Sequence, residues 1–244
     1  METQNGTVLS AFTLTGITNH PELQAPLFGL FLIIYVTSAV GNLGMVILTK
    51  VDSRLQTPMY FFLRHLALID LAYSTAVGPK MLMNFVVDQN TISYNLCATQ
   101  LAFFIAFIIS ELFILAAMSY DRYVAICHPL LYTVITSQRV CRVLLAIPYL
   151  YSTFVSLLVT VNILNSSFCG YNVISHFHCD SLPTLPLLCS NTHEIALIIL
   201  VSSGFNLISS LPTAPVSRLL ILAAMVRVSS AGGSTRLFLP VAPT

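Results

Sequence analysis

The feature that most constrains this chain is a run of 24 residues, Pro26 to Thr49, without a charged side chain. An α-helix needs roughly 20 predominantly apolar residues to cross the hydrocarbon core of a bilayer. Over the whole chain, charged residues make up 8% and hydrophobic residues 56%, with a mean hydropathy of +0.85. A soluble domain averages about 25% charged residues, so this composition indicates a membrane protein.

Four further apolar runs are long enough to span. The second is the least apolar, because Arg64, His65, Asp70 and Lys80 interrupt it, and only the first 20 or so residues of the fourth would cross the bilayer. The sequence therefore predicts an all-α membrane protein with five spans. The other four runs are Met59 to Leu82, Cys97 to Tyr120, Val143 to Ser175 and Ile195 to Ser217.

The distribution of Lys and Arg predicts the orientation. Basic residues concentrate in loops that face the cytosol, and here seven basic residues lie in the loops on one side and one lies on the other. We therefore expect an extracellular N-terminal tail over residues 1–25, a helix bundle over 26–228 and a cytosolic tail over 229–244. No cleavable signal peptide is visible in the first 25 residues. The cytosolic set is Lys50, Arg54, Arg122, Arg139, Arg142, Arg227 and Arg236, and only Lys80 lies on the other side.

The predicted outer side contains the groups that the secretory pathway modifies. Asn5-Gly6-Thr7 is an N-glycosylation sequon in the polar tail. Four of the six cysteines, Cys97, Cys169, Cys179 and Cys189, fall outside, where disulfides persist, and from the residues alone they permit three pairings.

The segment Met118 to Tyr132 reads MSYDRYVAICHPLLY and follows the third apolar run. Asp121-Arg122-Tyr123 alone could be a basic anchor at a helix end, but the whole string resembles the signature of the odorant receptors, a branch of the rhodopsin-like G-protein-coupled receptors. The segment Pro58 to Leu63 and the pair Gly41-Asn42 are similar to the same family. The resemblance is nearly continuous from Met1 to about Ser209 and implies a rhodopsin-like helix bundle with five of the seven helices present.

The resemblance implies a plasma-membrane chemosensor that binds a small volatile odorant and couples to a stimulatory heterotrimeric G protein. Asp121, Arg122 and Tyr123 would form the coupling element, with Asp121 holding Arg122 in an ion pair that a ligand releases. It also implies the disulfides Cys97–Cys179 and Cys169–Cys189.

Positions that match the family's odorant pocket recur at helical spacing in the third and fifth spans. The alternative is ordinary bundle core, for which such spacing is equally typical. The matching residues are Phe104, Ile105, Ile108, Ile109, Ser202, Ser203 and Asn206.

Three polar residues lie inside the spans. Asp70 and Glu111 are costly in lipid and usually face the bundle, and Asn42 could hydrogen-bond to them. Either the three form a small cation site, as the family's acids at these positions suggest, or they form a network that fixes helix packing.

Several other functions are not favoured. His176 to Asp180 contains metal-ligand types, but Cys179 would be used in a disulfide, so we predict no metal site and no cofactor. The chain has no phosphate-binding loop or hydrolase motif, so we predict no enzyme activity. The sequence has no basic tract that would indicate nucleic-acid binding. The expected partner of its apolar surface is membrane lipid.

The chain departs from the family in its last part. Pro212 and Pro215 stand where the family has aliphatic residues, and Arg218 stands in place of a tyrosine that supports the active state. Residues 232–244 do not match the family's basic segment before its sixth helix, which suggests a shifted reading frame. We therefore expect weak or absent signalling and retention in the endoplasmic reticulum. The alternative function is a non-signalling membrane protein, either inert or a partner of full-length receptors.

Overall fold

The computed structural model describes residues 11–15, 21–86, 91–168, 173–174, 176, 178–189, 192–213 and 215–223. Asn5, Cys169 and the segment 229–244 lie outside the described residues. The helices are α1 (Pro21–Val51), α2 (Pro58–Met83), α3 (Tyr94–Cys127), α4 (Tyr132–Ile135), α5 (Gln138–Leu164), α6 (Ser181–Thr184) and α7 (Thr192–Ser210). Two short 3-10 helices cover Ser53–Leu55 and Leu185–Leu187.

The helix α1 exposes apolar side chains along its length. Leu30, Ile33, Val40 and Ile47 are each at least half exposed, an arrangement that is stable when the surroundings are lipid. One face packs on α2, where Gly78 allows the close approach: a Cβ atom at this position would lie 2.6 Å from the Tyr35 ring.

The helix α3 is the central element, since it packs against α2, α5 and α7. Its inner half contacts α2 and α5 through a buried cluster around Phe62, Ile114 and Leu145. Hydroxyl groups reinforce the α3–α5 contact, where Ser110 and Ser152 share a buried hydrogen bond of 2.7 Å. Such interhelical bonds supplement the van der Waals packing that holds helices together in lipid.

A three-stranded sheet covers one end of the bundle. Its strands are β1 (Ala11–Leu14), β2 (Thr91–Ser93) and β3 (Val173–Ile174). The central strand β1 pairs antiparallel with β2 and parallel with β3. Phe12 and Leu14 point into an apolar cluster beneath the sheet, while Ala11 and Thr13 are less buried. The N-terminal tail was predicted only as a polar extension, and this alternation over four residues is the signal that identifies a strand in it.

Among the residues that the structure describes, four stretches are long and apolar enough to cross a membrane: Glu22–Val51, Tyr94–Cys127, Gln138–Leu164 and Thr192–Ala223. The predicted second span forms α2, a helix of 26 residues beside α1 and α3, but it is not among these four. The five predicted helices of the bundle are present as α1, α2, α3, α5 and α7. By length and apolar composition, all of them except α2 qualify as membrane spans.

Candidate functional site

A cavity of about 270 Å³ lies between α3, α5 and α7. Val155 and Val159 of α5 form its back wall, and Asp180, Ser181 and Leu182 border it from the outer loop. All seven residues predicted to line a ligand pocket border this one space: Phe104, Ile105, Ile108, Ile109, Ser202, Ser203 and Asn206. The structure therefore brings together residues that are about 100 positions apart in the chain.

The polar atoms of the cavity differ in what they can offer a ligand. The Ser202 hydroxyl donates to the backbone carbonyl of Ile198 in its own helix, at 2.7 Å. Asn206 is 5% exposed, and its Oδ1 atom has no hydrogen-bond partner among the described residues. An unpaired buried amide oxygen is costly, so Asn206 can anchor a polar group of a ligand.

The outer loop is tied to the top of α3 by a disulfide. Cys97 and Cys179 are bonded with their Cα atoms 5.4 Å apart, which confirms that predicted pair. Cys189 is also disulfide-bonded, and its predicted partner Cys169 lies outside the described residues. Gln100 adds a connection that the sequence did not reveal. Its Oε1 accepts from the Cys179 amide, and its Nε2 donates to the Ala76 carbonyl of α2, both at 3.3 Å.

His178 lies in this loop, next to Cys179, and is buried. Its ring packs on Phe104, with 5.0 Å between centroids, and on His176 at 4.5 Å. Burial, together with the neighbouring His176, lowers the pKa of His178 to about 4. The imidazole is therefore neutral at physiological pH. In the described part of the chain, no three His, Cys, Asp or Glu side chains are grouped as metal ligands would be.

Asn42, Asp70 and Glu111 do not join in a single hydrogen-bonded network within the described residues. The Asn42 amide donates to the Ser38 hydroxyl, which bonds Ser74 on α2, both at 3.3 Å. Asn42 was predicted to bond the two acids and instead bonds Ser38, because Ser38 lies one turn away on the same face of α1. Ser38 in turn connects α1 to α2 through Ser74. Asp70 and Glu111 lie close enough to interact electrostatically.

At the inner end of α3, Asp121 is 3% exposed and accepts a hydrogen bond from the Tyr132 hydroxyl at 3.1 Å. Arg122 is exposed and lies close enough to Asp121 to interact with its carboxylate electrostatically. The ion pair expected between these two neighbours stays a prediction. Burial and the Asp121 carboxylate raise the pKa of Tyr132, which keeps its phenol protonated as the donor. The sequence did not single out Tyr132 for this role.

The helix α7 ends at Ser210, earlier than the predicted span limit of Ser217. Leu211 and Pro212 form a turn, and helical residues resume at 213. Pro212 has no amide hydrogen, so it cannot donate the next backbone hydrogen bond of the helix. Hydroxyl groups bond the carbonyls around the break, with Thr213 donating to Ser210 at 2.6 Å and Ser210 to Asn206 at 2.5 Å.

These helices, the disulfide-tied loop and the central cavity define the class of protein as a rhodopsin-like transmembrane helix bundle. Squid rhodopsin has a similar structure, with a TM-score of 0.67 at 15% identity, over 93% of this chain and 59% of the rhodopsin. At that identity the likeness shows the fold alone.

The family follows from the sequence comparisons. A model of the olfactory receptor family matches residues 31–238. Human olfactory receptor 8K3 is 72% identical over 95% of this chain and 74% of its own length, and human olfactory receptor 8K1 is 60% identical over 95% and 73%. The chain belongs to the olfactory receptor family, whose members are multi-pass membrane proteins and not enzymes.

Proposed function

We propose that this chain binds a small volatile odorant in the cavity between α3, α5 and α7. The observation that carries the proposal is the convergence of the seven predicted pocket residues on one space. A volume of about 270 Å³ is near the lower end of the range for ligand sites, about 300–1,000 Å³, which favours a small ligand. The mainly aliphatic wall favours an apolar body.

Asn206 refines the chemical class of the ligand. Its unpaired Oδ1 would accept a hydrogen bond from a ligand hydroxyl group, and the amide can present its NH₂ group instead after a flip. An alcohol therefore satisfies the site in either orientation, whereas a hydrocarbon of the same shape satisfies it in neither. The proposed ligands are compact aliphatic alcohols, with ketones as weaker binders.

The test is to measure thermal unfolding of the purified chain with matched alcohols and alkanes of six to ten carbons. We expect alcohols to raise the unfolding midpoint and Asn206→Leu to weaken their binding about 3- to 10-fold, the loss of one hydrogen bond. Without ligand, Asn206→Leu should leave stability unchanged or raise it, because an unsatisfied oxygen is removed. Ser209→Ala, on the same helix outside the cavity, is the matched control. Equal stabilisation by alkanes and alcohols would contradict the proposal.

We propose further that the inner end, around Asp121, Arg122 and Tyr123, couples to a stimulatory G protein, and that coupling is weak. The support for weak coupling is the break in α7 at Pro212 and the exposed Arg218 in the following segment. The triple variant Pro212→Ile, Pro215→Ile and Arg218→Tyr should raise ligand-dependent cAMP several-fold over the parent chain. Arg139→Tyr, an exposed inner site, serves as control. A repaired chain that still gives no cAMP would favour the non-signalling alternative.

We propose a plasma-membrane destination with the N-terminus extracellular and glycosylated at Asn5. Its support is the separation of the disulfide-tied end from the end with Lys50, Arg122 and Arg142. Asp70 and Glu111 are only half-buried, a cost in lipid that favours retention in the endoplasmic reticulum. Glycans that remain sensitive to endoglycosidase H are the expected result, and predominantly resistant glycans would contradict retention.

A further inference from the structure

A second cavity, of about 330 Å³, lies at the opposite end of the bundle from the proposed odorant site. It is enclosed by the end of α1, the loop to α2, the first turns of α2 and the start of α5. Three cationic side chains border it: Lys50, Arg64 and Arg142. No carboxylate is among the residues that line it, so the cavity carries three positive charges without a compensating negative group.

The hydrogen bonds of these cations leave donors available. Arg64 donates from Nε to the Thr49 hydroxyl at 3.1 Å and from one terminal nitrogen to the Thr49 carbonyl. Arg142 donates to Gln138 at 3.3 Å. An arginine has five N–H donors, so both retain several, and Lys50 makes no hydrogen bond within the described residues. Asp52, two residues after Lys50, is not among the lining residues and accepts a hydrogen bond from the backbone amide of Arg54 at 2.9 Å.

The lining of the cavity also includes three apolar side chains, Leu55, Pro58 and Phe61. Ile47 and Leu48, which precede Lys50 by three and two residues on α1, are each 53% exposed. A cavity lined by cations and close to an exposed apolar helix surface is complementary to a molecule with an anionic head and a hydrocarbon tail. A free phosphate ion would use the cations and leave the apolar side without a partner.

We infer that this cavity binds the phosphorylated head group of an anionic phospholipid, with the acyl chains lying along the exposed surface of α1. The basic residues lie at the end proposed as cytosolic, where the leaflet is rich in anionic lipids. The inference rests on the proposed orientation for its biological setting, but the site itself is independent of the odorant cavity. Binding would hold the first inner loop against the start of α5.

The test is native mass spectrometry of the full chain in detergent with phosphatidylinositol 4,5-bisphosphate or phosphatidylcholine. We expect retention of the bisphosphate lipid in preference to phosphatidylcholine. The variant Lys50→Gln with Arg142→Gln should weaken it about 30-fold, since each basic residue near a membrane surface contributes about a factor of five. The matched control, Arg54→Gln with Arg139→Gln, removes the same charge at the same end from exposed residues outside the cavity, and should change affinity less than twofold.

Three results would overturn the inference. Equal losses in the cavity and control variants would show attraction to the basic face as a whole. Undiminished binding in the cavity variant would show that the lipid lies elsewhere. Complete displacement by millimolar inorganic phosphate would show a soluble-anion site. Lys50→Gln alone, at an exposed side chain without hydrogen bonds, should keep the fold and weaken binding about fivefold. Alcohol binding in the outer cavity should be unchanged in all these variants, which separates this test from that of the proposed function.

Discussion

The two ends of the bundle are closed by different kinds of interaction. The outer end is closed by a sheet, a disulfide between Cys97 and Cys179 and an apolar cluster that includes Phe12. Below the apolar cluster around Phe62, the inner end is closed by side-chain hydrogen bonds, from Tyr132 to Asp121 and from Arg64 to Thr49. A covalent and apolar closure resists opening, whereas polar bonds at an interface can exchange with water or a partner. The difference fits a rigid outer pocket above an inner surface that can rearrange.

The largest effect should come from breaking the outer closure. Cys97→Ser removes a bond that spans 82 residues and leaves Cys179 buried and unpaired, and loss of such a disulfide costs about 2–5 kcal/mol. We expect a lower unfolding midpoint of the purified chain. Cys127→Ser, at the half-buried free cysteine of the inner end, is the matched control and should have little effect. Similar losses in both variants would remove the contrast between the ends.

A smaller effect should follow from breaking the inner closure. Tyr132→Phe removes the donor to the buried Asp121 carboxylate, and a hydrogen bond to a charged group contributes about 1.5–3 kcal/mol. We expect a lower unfolding midpoint and higher basal cAMP, because the inner end of α3 is released. Tyr120→Phe, at an exposed tyrosine of α3, should leave the unfolding midpoint and basal cAMP unchanged. If Tyr132→Phe lowered stability as much as Cys97→Ser, the inner end would be as rigid as the outer.

The smallest effect concerns pH and sharpens the description of the outer end. The pKa of His178 is lowered from 6.5 to about 4, so the unfolded chain binds this proton more readily than the folded chain. The stabilisation is therefore complete above pH 6.5 and is lost as pH falls toward 4. We expect the unfolding midpoint to fall by a few degrees, about 2–4 °C per kcal/mol lost, between pH 7 and 5. His178→Gln should flatten this part of the profile, and His193→Gln, at an exposed histidine, should not.

The helices were predictable because apolar runs of membrane length leave few alternatives. The runs around α1 and α3 correspond to helices that extend beyond the predicted limits by several residues at both ends, whereas α5 begins before its run and ends within it, at Leu164. The limit of α7 was misplaced because the effect of Pro212 depends on whether neighbouring hydroxyl groups can satisfy the carbonyls it frees. The sheet at the outer end was missed because its strands have two to four residues each and form only when distant segments meet.

The residues of the outer cavity could be chosen from helical spacing and family resemblance, and the structure brings all of them to one space. The partners of polar groups were harder to predict. Asp121 was assigned to its neighbour Arg122, and the structure adds Tyr132, eleven residues away, as a hydrogen-bond donor to the same carboxylate. Such a partner depends on how the loop after α3 folds back, which sequence adjacency does not show. The basic cavity was not anticipated, because Lys50, Arg64 and Arg142 come from three separate helices.

The position of β1 in the middle of its sheet sets an order for biosynthesis. The tail that contains β1 is synthesised first, yet Thr15 bonds Ile174, a partner 159 residues later in the chain. At 5–20 residues per second, the segment waits about 8–30 s with one edge unpaired. Chaperones can therefore bind the tail while α1 to α5 enter the membrane. The sheet is completed only after the loop that follows α5, which contains β3, has been synthesised. The first segment to be made is among the last to be folded.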